Sequence, residues 1–505
     1  MTESVVVLGA GMAGLCTALA LAPTGRRITL LERDLAPPVG VEATFDHWAR
    51  RGASQLRHSH AFLARLRRLI ATEHPALLEA LEAAGARELR FADGLPEPIS
   101  KAYVAAPRDA DMSILVSRRS TLEWIMRRYV EAHANVVIRS GAFVTGLISE
   151  RDGAGALVAR GLRLEGGETV LADLVIDAGG RASPMTDWLA EAGANFTEEG
   201  EDCAILYYTR FYAMKEGRIE PPRGNAPTTG DLGYLKFGIF PADNATFSFT
   251  LAVPEVEEAL RVAVMRPEIF DAICASLPGV APWTDPARAT AVSKVHAMGD
   301  LKSRWRELAP AGVPALLGLF CVGDSLARTN PLYGRGCSFA AIEAHGLRDV
   351  LIGTADPADR ARAYSVRTRA DLHAFYADMV DQDRGAAKRA LAGLDPGYKP
   401  SWRGRLLRGF LDDGVTIAIR RDVDLLRAAM RAFHMLDPPR AWLRRPGNLA
   451  KILAVWARGR RANAHLYPGH RGPDRTEMFA TLGLNAEADL ARVRAEASLI
   501  RRRVG

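Results

Sequence analysis

Residues 4 to 33 read SVVVLGAGMAGLCTALALAPTGRRITLLER, and this stretch decides the fold. Val5 to Leu8 form a continuous apolar run, which is typical of a strand buried on both faces of a parallel sheet. Gly9, Gly11 and Gly14 follow in the spacing G-x-G-x-x-G, and the next residues predict a helix that leads into a second apolar strand. The order of strand, glycine-rich turn, helix and strand predicts one unit of a Rossmann-like sheet.

The end of the second strand indicates what this unit binds. Glu32 follows Gly14 by 18 residues, where an acid bonds the ribose hydroxyls of an adenosine. The first glycine makes the tight turn, the second lets the backbone approach a pyrophosphate, and the third lets the helix pack on the strand. We therefore predict a dinucleotide site formed by the three glycines, Glu32 and the adjacent Arg33. A glycine-rich turn in an unrelated unit would not explain Glu32.

A second stretch, Phe320 to Leu347, reads FCVGDSLARTNPLYGRGCSFAAIEAHGL. An apolar strand end runs into Asp324, and a loop with Pro331, Gly334 and Gly336 leads into a helix. This order presents one carboxylate and one helix N-terminus to a ligand, because a helix N-terminus carries unpaired N–H groups and a partial positive charge.

A third motif lies between these two stretches. Residues 173–176 predict a buried strand, and Asp177, Gly179, Gly180 and Arg181 form a second glycine-rich turn after it. Such a turn at a strand end allows the backbone to approach a ligand closely.

Two further polar sites precede predicted helices. The segment Gln55-Leu56-Arg57-His58-Ser59-His60 predicts a binding loop, and its two histidines lack a third metal ligand nearby. Arg119 stands just ahead of a helix for which Ser120 and Glu123 predict a capping box. Arg119 is compatible with a phosphate contact and equally with a solvated surface position.

Strand-like segments fill residues 136–255. Those from 136 to 171 have the turn spacing of a β-meander. Those from 196 to 255 alternate and concentrate the aromatic residues, which predicts that about half of them form sheet core and the others an apolar pocket wall: Tyr207, Tyr208, Phe211, Tyr212, Tyr234, Phe237, Phe240, Phe247 and Phe249.

Composition sets outer limits on the function. A chain of 505 residues with 48% apolar residues predicts two or three domains, and it contains no apolar run of membrane-spanning length and no signal-peptide pattern. Five scattered cysteines argue against a disulfide framework and for a cytoplasmic protein. No metal site and no nucleic-acid partner are expected.

The net charge of +7 is unevenly distributed. From Tyr398 to the end there are 22 basic against 10 acidic residues, a net +12, which leaves −5 for the rest of the chain. A solvated helical surface explains this basic C-terminal region, and so does contact with an acidic partner or a membrane surface.

Together the three motifs resemble flavin-dependent monooxygenases of the aromatic hydroxylase (p-hydroxybenzoate hydroxylase-like) superfamily. The resemblance covers roughly residues 4–355. Within that superfamily the chain is most similar to polyene epoxidases of polyether biosynthesis and their bacterial relatives, on the residues Arg50-Arg51-Gly52, Gln55 to His60, Arg119 to Trp124 and Asn330 to Gly336.

The resemblance implies roles for the motif residues. Gly9, Gly11 and Gly14 would hold the FAD pyrophosphate, Glu32 the adenosine ribose and Asp324 the ribityl chain. Arg119 would contact the cofactor, and the turn of Asp177, Gly179 and Arg181 would support it or a visiting nicotinamide. The remaining flavin-facing residues would be Pro331, Gly334 and Gly336, while His58 and His60 are pocket candidates without an assigned role.

The implied fold is α/β. It combines a Rossmann-like FAD-binding domain of glutathione reductase type, an inserted mixed β-sheet substrate domain and a C-terminal helical region. The expected boundaries are 1–190 and 291–355 for the FAD-binding domain, 191–290 for the substrate domain and 356–505 for the helical region.

The implied chemistry is that of a flavin C4a-hydroperoxide, formed with dioxygen, that epoxidises or hydroxylates an apolar substrate. Without a second G-x-G-x-x-G, the electrons would come from transient NADH or NADPH or from a separate flavin reductase. A C=C reductase is the alternative, since Phe240-Pro241 fits the signature of isoprenoid-chain reductases. Residues 234–241, YLKFGIFP, lack most of the halogenase signature, and a non-enzymatic flavin module would leave the flavin-facing loop without a purpose.

Overall fold

The computed structural model describes residues 2–222, 224–393, 399–486 and 489–491. At its centre is a five-stranded parallel sheet, the central sheet, whose strands lie in the order Leu319–Cys321, Leu174–Asp177, Ser4–Leu8, Arg27–Glu32 and Val136–Ser140. The predicted Rossmann-like unit is confirmed, and its first two strands pair in register from Ser4 with Arg27 to Leu8 with Leu31.

The two faces of the central sheet are covered by different layers. Val5 and Val7 point into a core formed with helices: Met12–Leu21, Ala64–Glu73, Pro75–Ala83, Arg119–Glu131 and Gly336–Gly353. Val6 and Leu8 point into a second core formed with a three-stranded antiparallel meander and the short helix Met185–Glu191. Full burial on both sides accounts for the continuous apolar run that opens the chain.

The meander consists of Val144–Arg151, Leu157–Leu164 and Thr169–Leu171. The strand Val136–Ser140, predicted as part of this meander, instead pairs in parallel with Arg27–Glu32 at the edge of the central sheet. Turn spacing alone could not separate the two, because both strands are short and follow one another directly.

A larger antiparallel sheet is inserted between the central strands Leu174–Asp177 and Leu319–Cys321. Its strands are Thr229–Asp231, Lys236–Pro241, Thr246–Pro254, Ile205–Met214, Ala289–Ala291 and His296–Met298. Every pairing in it is antiparallel, so the prediction of a mixed sheet is wrong. Short turns join Thr229–Asp231 to Lys236–Pro241 and Lys236–Pro241 to Thr246–Pro254, and a turn this short can only join antiparallel neighbours.

Helices cover the outer face of this large antiparallel sheet: Glu258–Ala263, Pro267–Ser276, Ala281–Thr284 and Arg475–Thr481. Smaller elements connect the two main sheets, namely the antiparallel strands Thr197–Asp202, Lys302–Glu307 and Ala327–Arg328, the pair Arg87–Leu89 and Ile114–Val116, and the short helices Val41–His47 and Glu97–Ser100.

The C-terminal region is helical, as predicted. Its α-helices are Pro357–Gly393, Trp402–Gly409, Thr416–Arg421, Val423–Phe433 and Pro446–Ala462, with a π-helical turn at Phe410–Val415. The last predicted helix, Ala486 to Arg503, lies almost entirely outside the described residues.

Candidate active site

A cavity of about 820 Å³ opens where the carboxyl ends of the central strands meet. Ligands of open α/β sheets bind at this edge, because the loops that leave the strands converge there. The predicted site residues that line the cavity come from both halves of the chain: Gly9, Gly11, Glu32, Arg33, His58, His60, Arg119, Gly179, Asp324, Pro331, Gly334 and Gly336.

Gly14 and Asp177 lie behind the cavity wall. A Cβ at Gly14 would sit 2.0 Å from the carbonyl oxygen of Gly9, so this glycine permits the close contact between helix and strand. Asp177 is fully buried and accepts hydrogen bonds from the backbone N–H of Gly179 at 2.9 Å and from the Ser183 hydroxyl at 2.8 Å. Asp177 therefore shapes the turn that is predicted to support a cofactor.

Two helix N-termini face this cavity. The helix Met12–Leu21 starts after Gly11, and the helix Gly336–Gly353 starts after Arg335. Among the described residues, no side chain caps either N-terminus, and neither first turn contains an acid. Their N–H groups thus remain available to an anionic or electron-rich ligand, which the helix dipoles favour.

Glu32 connects the first glycine turn to a buried arginine. Its carboxylate accepts hydrogen bonds from the backbone N–H of Ala10 at 2.9 Å and of Asp34 at 3.0 Å, and it lies 3.3 Å from Nη2 of Arg50. Arg50 is 8% exposed, and its Nε and Nη1 are buried without a hydrogen-bond partner in the described part of the chain. A buried guanidinium with unused donors suits an anionic group in the cavity.

No pattern in the sequence predicts that Arg50 is buried at the site. Only the resemblance pointed to the segment that contains it, while its burial depends on contacts with three separate acids. Besides Glu32, these are Asp34 at 3.6 Å and Glu123 at 3.8 Å.

Arg119 crosses the wall between the two helix N-termini. Its Nε donates to Glu123 at 2.5 Å, and its Nη1 lies 3.2 Å from Nε2 of His60 and 3.3 Å from the sulfur of Cys337. The predicted capping box is wrong. The helix starts at Arg119, the Ser120 hydroxyl lacks a partner within the described residues, and Glu123 is held by arginines.

Asp324 lies beside the N-terminus of the helix Gly336–Gly353. A Cβ on Gly336 would be 4.0 Å from its Oδ1, so the carboxylate stands beside the helix N-terminus that follows in the chain. Its backbone carbonyl accepts a hydrogen bond from Arg304 at 2.7 Å, which fixes the turn. Burial raises the pKa of Asp324, and the nearby Arg328 and Arg119 oppose that shift.

The opposite wall is one face of the large antiparallel sheet, and it carries a chain of hydroxyl groups. Nδ1 of His58 lies 3.0 Å from the Thr209 hydroxyl, which lies 2.7 Å from the Thr250 hydroxyl. Ser59 continues the chain at 2.6 Å from Thr250 and 2.6 Å from Ser248. These hydrogen bonds attach the binding loop to the sheet and satisfy each buried hydroxyl.

The two histidines of this loop are held neutral. Burial lowers the pKa of His58 to about 3, and His296 adds to the effect. Burial also lowers the pKa of His60 to about 3, assisted by the positive charge of Arg119. Both imidazoles therefore act at neutral pH as hydrogen-bonding groups without charge.

The aromatic residues of the large sheet divide between its two faces. Tyr207, Phe237 and Phe240 line the cavity, and the Tyr207 hydroxyl donates to Asn330 at 2.8 Å. The outer core contains Tyr208, Tyr212, Tyr234, Phe247 and Phe249 and also includes Phe237, while Phe211 meets Phe45 edge to face at 5.0 Å between ring centroids.

The residues present fit FAD. One end of the cavity offers backbone N–H groups, a buried guanidinium with two donors that make no hydrogen bond, and a glycine cradle in which a Cβ at Gly9 would lie 2.7 Å from the carbonyl oxygen of Ala178. The other end presents aromatic surface and two uncharged imidazoles beside Lys236, which is paired with Asp231. A dinucleotide with a charged pyrophosphate and a flat ring system requires this distribution.

No family model matches the chain. Protein Rv3254 of Mycobacterium tuberculosis (strain ATCC 25618 / H37Rv) is 27% identical over 383 residues, which cover 69% of this chain and 73% of that protein.

Solved structures share the fold at low sequence identity. PqsL, a probable FAD-dependent monooxygenase from Pseudomonas aeruginosa, aligns with a TM-score of 0.55 and 16% identity, covering 78% of this chain and 99% of PqsL. The OxyS anhydrotetracycline hydroxylase from Streptomyces rimosus aligns with a TM-score of 0.55 and 21% identity, over 86% and 76% of the two chains. The Diels-Alderase PyrE3 of pyrroindomycin biosynthesis aligns with a TM-score of 0.57 and 17% identity, over 86% and 81%.

The chain thus shares its fold with a probable FAD-dependent monooxygenase, a hydroxylase and a Diels-Alderase. Because a Diels-Alderase shares this fold, the reaction has to be inferred from the site.

Proposed function

We propose that this protein is an FAD-dependent monooxygenase that adds one oxygen atom of dioxygen to an apolar unsaturated or aromatic substrate, by epoxidation or hydroxylation. One observation carries the proposal. The edge of the central sheet with its two free helix N-termini and the aromatic, hydroxyl-bearing face of the large antiparallel sheet line a single continuous cavity. A cofactor bound at the first would share that space with a substrate bound at the second.

The first glycine turn and its helix N-terminus would hold the pyrophosphate, as in dinucleotide units of glutathione reductase type. Glu32 would accept the hydroxyls of the adenosine ribose. Arg50 would use its free Nε and Nη1 on an oxygen of the same cofactor, since a buried guanidinium gains most from a charged acceptor.

At the other end, Asp324 would accept hydrogen bonds from the ribityl hydroxyls. The uncapped N-terminus at Gly336 would stabilise negative charge on the ring system, and Arg119 adds a fixed positive charge to the same wall. When bound, FAD supplies the reaction of its reduced form with dioxygen.

The chain's contribution to the reaction is positioning and exclusion of water. Tyr207, Phe237 and Phe240 provide aromatic surface, and the hydroxyl chain behind His58 fixes the wall that a substrate would contact. Neutral imidazoles add no charge to that wall, and its Lys236 is paired with Asp231 at 3.5 Å. Holding an electron-rich substrate against a dry, preorganised wall lowers the barrier without a protein nucleophile.

Reducing equivalents would come from outside this site. The chain has a single G-x-G-x-x-G, so NADH or NADPH would visit transiently, or a separate flavin reductase would deliver the electrons.

The test begins with the flavin content of the purified, FAD-reconstituted protein. The bound flavin is then reduced under argon with NADH, NADPH or a stoichiometric amount of dithionite, and ¹⁸O₂ is admitted in place of air together with a panel of polyenes and phenols. The proposal expects stoichiometric FAD and incorporation of one ¹⁸O atom into a product.

Two results would contradict it. If the protein retains no FAD after reconstitution, it lacks the cofactor site on which the proposal depends. Saturation of a substrate C=C bond under argon, without ¹⁸O in any product, would instead establish the reductase alternative.

A further inference from the structure

The helix Trp402–Gly409 lies on the surface without a single buried side chain. All seven residues from Trp402 to Arg408 are exposed, including Trp402 at 64%, Leu406 at 52% and Leu407 at 60%. A leucine removed from water contributes about 1.5–3 kcal/mol, so helices of folded proteins normally bury such side chains. Among the described residues, nothing covers these three.

The exposed surface continues beyond this helix. Leu411 follows in the π-helical turn, and Leu449 and Leu453 are exposed on the helix Pro446–Ala462. The two segments pack together through Phe410 and Trp456, whose ring centroids are 5.7 Å apart. We call the six side chains the C-terminal apolar patch: Trp402, Leu406, Leu407, Leu411, Leu449 and Leu453.

The surroundings of the patch are strongly basic. Residues 399–461 contain 15 basic and 5 acidic residues. Arg403, Arg405 and Arg408 are exposed between the apolar residues of the first helix, and none of them forms an ion pair with a residue that the structure describes. Leucine and tryptophan interleaved with unpaired arginine is the composition of helices that lie in an anionic lipid interface.

We propose that the C-terminal apolar patch binds the surface of an anionic lipid bilayer. Its leucines would enter the acyl boundary while the arginines remain among the lipid phosphates, which long cationic side chains can reach. A second copy of the chain is a poor alternative occupant, because it would bring a net charge of about +10 against an equal charge. Within the described residues, no helix is long and apolar enough to cross a membrane, so the contact would be peripheral.

The C-terminal helices also reach the cavity, because Phe433 ends the helix Val423–Phe433, is 44% exposed and lines the cavity. The lipid contact itself does not rest on the proposed oxygenation, since recruitment to a bilayer is independent of the reaction catalysed.

The test uses the full chain, reconstituted with FAD, in co-sedimentation with vesicles of equimolar phosphatidylglycerol and phosphatidylcholine. We expect binding to these vesicles in dilute salt, clearly weaker binding to pure phosphatidylcholine, and release as the salt concentration rises. The double variant Leu406→Gln/Leu407→Gln should lower the partition coefficient at least about tenfold, because both side chains lose burial in lipid. The matched control Leu35→Gln/Leu171→Gln, at exposed leucines elsewhere, should bind like the unmodified protein.

Several results would overturn the proposal. These are absence of vesicle binding, equal binding to neutral and anionic vesicles, and equal loss in both double variants. Sedimentation velocity adds another, since a dimer that only Leu406→Gln/Leu407→Gln dissociates would make a second copy the occupant. Binding to polyglutamate without binding to vesicles would identify an acidic protein surface instead. Flavin content, measured in parallel, shows that each variant is folded.

Discussion

The cavity has two walls that differ in what performs the binding. At the edge of the central sheet, backbone groups of the glycine turns and two helix N-termini face the ligand, around Gly9, Gly11 and Gly336. On the opposite side, side chains from the middle of strands face it, among them Thr209 and Thr250. The first wall tolerates little change in sequence because backbone must come close to the ligand. The second can change its side chains without loss of fold, so we expect it to determine the substrate.

The largest effect should come from a change that destroys the first wall. In Gly14→Ala, the new methyl group would lie 2.0 Å from the carbonyl oxygen of Gly9, which belongs to packed backbone and cannot rotate away. Overpacking costs about 1–3 kcal/mol, and more where the neighbour cannot move. We expect FAD retention to vanish and the urea midpoint of unfolding to fall.

The control for this variant is Gly153→Ala, where a Cβ would meet no atom within 4 Å. It should keep both FAD and stability. If Gly14→Ala retained stoichiometric FAD at unchanged stability, the helix would not need the close contact that the structure shows.

The second prediction concerns a substitution that removes one carboxylate from the first wall and leaves the backbone of that wall intact. Asp324→Ala deletes the carboxylate beside the second helix N-terminus, and the cofactor would lose a charge-assisted acceptor worth about 1.5–3 kcal/mol. We expect the dissociation constant of FAD, measured by flavin fluorescence, to rise at least about tenfold. Asp187→Asn, at an exposed carboxylate, should leave the constant unchanged.

The two walls also differ in how far the sequence could predict them. Gly9, Glu32 and Asp324 were found because each sits at a fixed spacing from a strand end, and the parallel sheet then brings those ends together. The hydroxyl chain was not found, since it joins His58 to Thr209 over 151 residues and Thr209 to Thr250 over 41 residues, and it depends on strand register. Arg50 was missed for the same reason, because its burial depends on Glu32, Asp34 and Glu123, which the fold brings to it from other parts of the sequence.

His58 lies at the boundary between the walls, and its lowered pKa predicts that the stability of the protein depends on pH. The unfolded pKa of histidine is about 6.5, while burial lowers the folded pKa of His58 to about 3. Below pH 6.5 the unfolded chain binds a proton that the folded site rejects, so the free energy of unfolding falls as the pH falls from 6.5 towards 3. At pH 5 the loss is roughly 2 kcal/mol for this residue.

His58→Gln should therefore flatten the decrease in stability between pH 7 and pH 5, measured by urea unfolding at each pH. Glutamine keeps a hydrogen-bonding group near Thr209 but does not titrate. His470→Gln, at an exposed histidine, serves as the control. An unchanged slope in His58→Gln would mean that this imidazole takes up its proton in the folded state as readily as in the unfolded chain.

The smallest expected effect concerns the second wall alone. Thr209→Val keeps the side-chain shape but leaves Nδ1 of His58 and the Thr250 hydroxyl each without one partner, which costs about 1–3 kcal/mol. Because Thr209 is remote from the glycine turns, the FAD dissociation constant should stay unchanged, while stability falls by this amount and the KM for a substrate shifts severalfold. Thr145→Val, at an exposed threonine, should change neither quantity. A loss of FAD in Thr209→Val would show that the two walls form one coupled unit, and the substrate would then be selected by both.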